Sequence, residues 1–351
     1  METLFQIERI LVVAFASFIL AVAIVPVFTN FMYARQFGKK IRTDQNSPIY
    51  QSLHAQKAGT PTMGGVLVWG TVTLLILFFG LISRFWPDSF LAEFNFLSRS
   101  QTFLPFGIMV FAGIIGLLDD LVGIIGKGWL GGGIRFRHRF ILYGIVASVG
   151  AWWFFYKLGW DLIHIPFLGD FNIGLWYIPI FIFIIIASSF STNQTDGLDG
   201  LAGGVLLTAF LSLMVITFVQ GRYDLMAFLA AIVGSLLAFL WFNIYPARFF
   251  MGDTGSMSMG AVLGVVVMLT NTALILPFFG IILVLEALST ILQLFWRRFL
   301  KRKLFLSAPI HHHFEAIGWP EAKITMRFWI ISLVFSILGL TIFFLDQLIT
   351  L

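Results

Sequence analysis

Long apolar runs set the problem this chain has to solve. A helix needs about 20 consecutive apolar residues to cross a bilayer, and such runs recur at roughly 4–29, 62–83, 103–122, 139–157, 173–192, 198–219, 225–242, 256–274, 275–297 and 327–349. In hydrocarbon, runs of this length satisfy their backbone groups as helices. The expected fold is therefore all-α, a polytopic integral membrane protein with about ten transmembrane helices. The junction between the eighth and ninth runs, near Asn271–Pro277, is tight enough to leave the count open by one. Composition agrees with this reading: 59% of the 351 residues are hydrophobic and 11% are charged, where a soluble domain carries about 25% charged residues. The first run, Ile10 to Phe28, is too long for a signal-peptide core. A basic stretch follows it in place of a cleavage site, which reads as stop-transfer. With no internal repeat or soluble appendage in view, residues 1–351 are read as a single transmembrane domain.

Lys and Arg in the loops orient the helices. The first loop carries Arg35, Lys39, Lys40, Arg42 and Lys57, and the third carries Lys127, Arg135, Arg137 and Arg139. The ninth carries Arg297, Arg298, Lys301, Arg302, Lys303, Lys323 and Arg327. The alternate loops are poorer in cations and partly balanced by Asp88, Glu93 and Asp224. The basic loops are expected to face the cytoplasm, which with ten spans leaves both termini on the periplasmic side. The absence of Cys excludes disulfides, thiolate catalysis and Cys-based zinc sites.

Acidic and amide residues are scarce in such a chain, so their grouping carries information. Asp119 and Asp120 end the third run, where two carboxylates would face each other and the negative end of a helix dipole. The segment Asn193-Gln194-Thr195-Asp196-Gly197-Leu198-Asp199-Gly200 joins the fifth and sixth runs. If Asp196 and Asp199 begin the sixth helix, they are three residues apart and share a face. Asn243 and then Phe250-Met251-Gly252-Asp253 precede the eighth run, so that Asp253 stands at a helix start suited to a metal beside an anion. Each of these could singly be a helix cap. Pro309-Ile310-His311-His312-His313-Phe314-Glu315 lies in the ninth loop. Three consecutive His cannot easily converge on one ion, so hydrogen bonding to a sugar or phosphate is the better expectation. Lys57 to Gly65, with Thr60 and Thr62, could bind phosphate. All five groups map to the side of the basic loops, whereas unrelated caps would divide between the two faces. Carboxylate and amide oxygens suit Mg²⁺, and Mg²⁺ beside cations and helix N-termini suits diphosphate chemistry between a lipid and a nucleotide-like reactant. A secondary transporter would instead carry its charges near the bilayer midplane in broken helices.

These segments resemble the polyprenyl-phosphate N-acetylhexosamine-1-phosphate transferases over the whole chain. The aspartate clusters are common to that superfamily. Thr60-Pro61-Thr62-Met63-Gly64-Gly65 and the triple His, continued by Gly318-Trp319-Pro320-Glu321 and Arg327-Phe328-Trp329, are similar to the phospho-N-acetylmuramoyl-pentapeptide transferase branch. The triple His argues against the sister branch that moves GlcNAc-1-phosphate. The resemblance implies a ten-helix homodimer of the bacterial inner membrane with a cytoplasmic cleft. It implies transfer, with Mg²⁺, of phospho-MurNAc-pentapeptide from UDP-MurNAc-pentapeptide to undecaprenyl phosphate, giving lipid I and UMP. Membrane lipid surrounds such an enzyme, and nucleic acid has no part in it. By matched position, Asp253 would bind the metal, and Asp119, with Asp120 beside it, would deprotonate or place the lipid phosphate. Asn193, Asp196, Asp199 and Asn243 would line the nucleotide-sugar site. Lys57 and Phe250 would meet the uridine end, Thr62 would contact the same substrate, and His311, His312 and His313 would contact the sugar-diphosphate region. The family usually has a Lys four residues after the first Asp of the pair. Gly123 stands there in this chain, which leaves Lys127 and Arg137 as the expected contacts of the lipid phosphate.

Overall fold

The computed structural model describes residues 2–35, 37, 38, 57, 59–126 and 136–350. Its principal helices are α1 Glu2–Ala34, α2 Gly65–Phe85, α3 Phe103–Ile125, α4 Phe136–Trp152, α5 Tyr177–Thr195, α6 Leu201–Val219 and α7 Tyr223–Asn243. There follow α8 Gly252–Leu269, the short α9 Leu276–Phe279, α10 Ile281–Phe299, the short α11 Ile310–Ala316 and α12 Glu321–Thr350. Nine helices among the described residues are long and apolar enough to cross a membrane. The chain is thus an all-α, multi-pass membrane protein. The run expected over 275–297 departs from the reading of ten. Pro277 lies in the short α9, and the chain restarts at Ile281 as α10. That helix carries Glu286, Arg297 and Arg298, and its buried side includes Glu286, Ser289 and Gln293, so it falls short of a uniformly apolar span.

Helix α8 is the centre of the molecule. Every one of its residues except Asp253 is buried. Its sequence explains why, since Gly252, Gly255, Ser256, Ser258, Gly260, Ala261 and Gly264 leave little side chain to hold neighbours away. Between membrane helices there is no hydrophobic drive, so association depends on such close backbone approach and on interhelical hydrogen bonds. A Cβ on Gly65 of α2 would lie 2.1 Å from the Cα of Gly255, and one on Gly116 of α3 would lie 2.4 Å from the carbonyl oxygen of Asp253. Gly260 and Gly264 make the same kind of approach to Ser188 and Ile185 of α5. Hydroxyls tie the crossings: Thr254 Oγ1 donates to the Gly113 carbonyl and Ser258 Oγ to the Met109 carbonyl, both at 2.7 Å.

At the far end of α8 the chain forms an antiparallel hairpin that the helical periodicity did not foretell. Strands β1 Leu162–Ile165 and β2 Gly169–Asn172 pair with Leu162 opposite Asn172. Phe167 and Gly169 turn the chain with positive φ. His164 joins the hairpin to α12, its ring nitrogens lying 2.8 Å from Asp170 and 2.6 Å from Asp346.

Candidate active site

The end of α5 meets the start of α8, the start of α12 grips the turn that follows α5, and polar side chains gather there. Asp119 lies six residues before the end of α3, not at its terminus, because the helix runs on to Ile125 before Gly126 closes it with φ 72°. Its carboxylate is 1% exposed and pairs with the guanidinium of Arg139, which enters from α4. The same Arg139 Nη2 lies 3.0 Å from Asp253 Oδ2. A single cation therefore joins two carboxylates from two other helices. The second oxygen of Asp253 accepts from Asn193 Nδ2 at 2.6 Å, and that amide also donates to Ser256 Oγ at 3.1 Å.

The neighbouring aspartates face backbone. Asp120 accepts from the N–H groups of Asp253 and Thr254 at 3.2 and 3.1 Å, so it caps the first turn of α8 from outside. Asp196 accepts from Gly252 N at 3.0 Å and supports the same turn. The sixth helix does not begin at Asp196, as the sequence spacing allowed. Gly200, with φ 76°, turns the chain, and α6 starts at Leu201, so Asp196 and Asp199 lie in the connecting turn. Asp199 Oδ2 accepts from Ala247 N at 3.0 Å. Asn243 is buried and spans the same region, accepting from Gly200 N at 3.0 Å and donating to the Phe249 carbonyl at 2.8 Å.

Lys57 forms the other pole. Its ammonium lies 2.7 Å from Asp199 Oδ1 and 2.5 Å from Glu321 Oε1, and 5.7 Å from the centre of the Phe250 ring. Burial pulls its pKa down, but Glu321 and Asp199 more than offset that, and the group stands above its ordinary 10.5. Thr62 is buried beside Gly252, whose added Cβ would lie 2.7 Å from Thr62 Oγ1. Phe250 is anchored through its backbone, donating to Pro61 O at 2.8 Å and accepting from Gly64 N at 2.7 Å.

The three His diverge, each to its own partner. His311 is fully buried, with Nδ1 2.9 Å from Glu286 Oε2. It packs so closely on the turn that a Cβ on Gly197 would lie 2.2 Å from its Nε2. His312 Nδ1 is 2.6 Å from Glu315 Oε2, and His313 Nδ1 accepts from Leu306 N at 3.3 Å. Lys127 lies outside the described residues, as does the side chain of Arg137. Sequence reasoning counted Arg139 only as a topology charge and gave Glu286 and Glu321 no role. Glu286 could have been found as a lone acid within an apolar run. Among the described residues, no group of three or more His, Asp or Glu is arranged to hold a metal ion.

Comparison with known proteins decides the family. The chain is 38% identical to the phospho-N-acetylmuramoyl-pentapeptide-transferase of Chloroflexus aurantiacus over 350 residues, covering 96% of this chain and 90% of that protein. This chain belongs to the phospho-N-acetylmuramoyl-pentapeptide-transferase family. The family's protein from Geobacillus thermodenitrificans is 35% identical over 339 residues, with 95% of this chain and 98% of the relative covered. That from Clostridium perfringens is 38% identical over 334 residues, with 94% and 98% covered. Residues 57–67 match the phospho-N-acetylmuramoyl-pentapeptide-transferase signature 1, and residues 102–271 match glycosyl transferase family 4. The signature thus includes Lys57 and Thr62, and the longer match takes in both Asp119 and Asp253.

Proposed function

We propose that this protein transfers phospho-MurNAc-pentapeptide from UDP-MurNAc-pentapeptide to undecaprenyl phosphate, releasing UMP and forming lipid I, at the inner membrane of a bacterium. The observation that carries the reading is the meeting of Asp119, Arg139 and Asp253 from three helices at one end of a membrane-embedded bundle. Both reactants are anions, and they can approach in line only if cations screen them. Arg139 supplies one positive charge and Lys57 another.

The donor set fits Mg²⁺. Asp119, Asp253 and the side-chain oxygen of Asn193 are hard donors, and a guanidinium already stands between the two carboxylates. Mg²⁺ usually takes only one or two carboxylates, with water and substrate phosphates completing its shell, so Asp253 as its main ligand with Asp119 near it needs no three-residue cluster of the kind that is lacking among the described residues. When bound, the ion would neutralise charge building on the donor diphosphate. In this reading Asn193 fixes the rotamer of Asp253, and Asp120 and Asp196 hold the first turn of α8. Asp119 receives the proton of the acceptor phosphate or positions that phosphate, while Arg139 turns from the carboxylates to the incoming anion. The phosphate oxygen attacks the donor's sugar-linked phosphorus in a single displacement, and UMP leaves.

Phe250 stacks on the uracil, with Lys57 beside it and Thr62, Asp199 and Asn243 shaping the pocket. His312 and His313 face the sugar diphosphate, and His311 braces Gly197 from behind. The site opens to the cytoplasm, a reading supported by the exposed cations Arg297 and Arg298 in the last turn of α10 and Lys301, Arg302 and Lys303 just after it. Helix α10 is the ninth crossing and brings the count to ten, both termini lie in the periplasm, and the working unit is a homodimer of single-domain chains. The test is UMP release from UDP-MurNAc-pentapeptide by protein in nanodiscs containing undecaprenyl phosphate. Release should require both lipid and Mg²⁺ and stop in Asp253→Asn. Release with UDP-GlcNAc in place of the peptide donor would overturn the substrate assignment.

A further inference from the structure

We infer that Glu321 is a positioning residue for donor binding: its Oε1 holds the Lys57 ammonium and the Asp199 N–H at once, and so fixes Lys57 beside the face of Phe250. The inference rests on the assignment of Lys57 and Phe250 to the donor nucleotide. Three elements meet in this contact. Lys57 comes from the segment before α2, Asp199 from the turn between α5 and α6, and Glu321 from the first turn of α12. The distances to Oε1 are 2.5 Å from Lys57 Nζ and 2.6 Å from Asp199 N. A third contact, 2.7 Å from Lys57 Nζ to Asp199 Oδ1, closes the ring. Among the described residues, then, two carboxylates engage two of the three N–H donors of the ammonium, and the third is directed by them.

Long Lys side chains are flexible, and their fixation needs more than one contact. Asp199 alone offers the ammonium a single oxygen, because its Oδ2 is committed to Ala247 N, so the second contact that fixes Lys57 comes from Glu321. The start of α12 is itself anchored on this turn. Thr325 Oγ1 donates to the Asp199 carbonyl at 3.2 Å and Trp329 Nε1 to the Gly200 carbonyl at 3.1 Å, so Glu321 is presented by a helix that grips the turn at two further points. Glu321 touches no reacting atom in this scheme. It acts through Lys57.

The contact has a signature that a merely structural carboxylate would lack. The charged groups that meet Lys57 are Asp199 and Glu321, and together they hold its pKa above 10.5 against the pull of burial. Glu321→Gln keeps an acceptor for Asp199 N but removes one of the two negative charges. The pKa of Lys57 then falls, and donor affinity is lost at a lower pH than in the parent protein.

Steady-state kinetics of UMP release would be measured for the parent protein, Glu321→Gln, Glu321→Asp, Lys57→Ala and the Lys57→Ala/Glu321→Gln double variant, each across pH 7 to 10.5, with thermal melting in the same detergent. Glu321→Gln should raise the donor KM about tenfold, the scale of one charge-assisted hydrogen bond, with kcat nearly unchanged and its alkaline limb moved to lower pH. Glu321→Asp, which keeps the charge, should recover part of the loss. In the Lys57→Ala background Glu321→Gln should add nothing. An unchanged KM and pH profile in Glu321→Gln, with Lys57→Ala impaired, would overturn the role of Glu321 while leaving the donor site standing. An unimpaired Lys57→Ala would remove the donor-site assignment itself, and this inference with it. Should Glu321→Gln fail to fold, the donor KM of Glu321→Asp, raised above the parent with Lys57 present and unchanged by the same substitution in the Lys57→Ala background, decides the same question.

Discussion

Gly116→Ala puts the dependence of the site on helix contact to the sharpest test. Gly116 lies on α3 one turn before Asp119, and a Cβ there would meet the Asp253 carbonyl oxygen at 2.4 Å and the Thr254 Cα at 2.6 Å. Both are backbone atoms, so no rotamer change relieves the clash. Carbon contacts settle at about 3.5 Å or more, so α3 and the first turn of α8 must part by about 1 Å. Overpacking of this kind costs about 1–3 kcal/mol of stability. The larger effect falls on turnover. The displacement moves the helix that carries Asp119 away from the turn that carries Asp253, and a misplacement of about 1 Å can cost about 10²-fold in rate. The control is Gly107→Ala on the same helix, where nothing lies within 4 Å of the added Cβ. The assay is the initial rate of UMP release at saturating donor and acceptor, normalised to monodisperse protein, with melting temperature measured alongside. Gly116→Ala should lose about 10²-fold in rate while Gly107→Ala keeps the parent rate. A Gly116→Ala protein turning over within twofold of the parent would refute the argument that this crossing sets the carboxylate geometry.

Other outcomes follow from the same contacts. Arg139→Ala should abolish UMP release and lower stability by about 3–5 kcal/mol, because it removes the cation beside a buried carboxylate; denaturation in detergent checks the second part. Arg139→Lys should keep the charge but not the planar fork that reaches both Asp119 and Asp253, leaving measurable activity with a reduced kcat. Asn193→Ala removes one hydrogen bond that holds Asp253 in place and should raise the Mg²⁺ concentration for half-maximal activity, read from a metal titration. Burial pulls the pKa of His164 down, but Asp170 and Asp346 hold it above its ordinary 6.5. Its contribution to hairpin docking is therefore fully present below 6.5 and is lost as pH rises through the higher folded value. Hydrogen exchange over residues 162–172 should accelerate across that window beyond the intrinsic base catalysis of amide exchange, and that excess should vanish in His164→Gln.

The helices were legible because bilayer thickness and backbone satisfaction leave the chain few options: apolar runs of the right length became α1 to α8 and α12 with boundaries close to those read from sequence. The ninth run illustrates where that logic thins. Residues 275–297 are apolar on average, yet Pro277, Glu286 and the closing Arg pair divide them into a short helix and an amphipathic one. The hairpin at 162–172 was missed because its two strands are only four residues each and alternate weakly. In the site, the polar segments were legible as segments, since each interrupts an apolar pattern. Their mutual contacts were not, because those depend on where Gly65, Gly116, Gly255 and Gly260 let backbones touch. Arg139 is the clearest case. In sequence it is one of several cations flanking a span, and only the crossing of α4 against α3 and α8 makes it the bridge between Asp119 and Asp253.

The five aspartates, which look equivalent in sequence, sort by what their oxygens face. Asp120 and Asp196 accept from backbone N–H groups at the start of α8, and Asp199 accepts from Ala247 N. These contacts satisfy donors that a helix or turn would otherwise leave without partners, so they fix the geometry of the turn. Asp199 also holds the Lys57 ammonium, while Asp119 and Asp253 share the Arg139 cation between two helices. Charge held by backbone cannot be exchanged without unfolding a turn, whereas charge held by Arg139 can be passed to another ion by rotation of one side chain. A site that must admit two anionic reactants needs groups of the second kind at its centre and groups of the first kind around them. Asp120→Asn and Asp119→Asn should therefore differ in kind. Asp120→Asn keeps one acceptor for the α8 N–H groups and should lower the melting temperature as well as the rate. Asp119→Asn weakens the hold on Arg139 and should lower the rate with the fold intact. Equal thermal losses in the two variants would show that the capping contacts of Asp120 carry no more of the fold than the Asp119–Arg139 pair does.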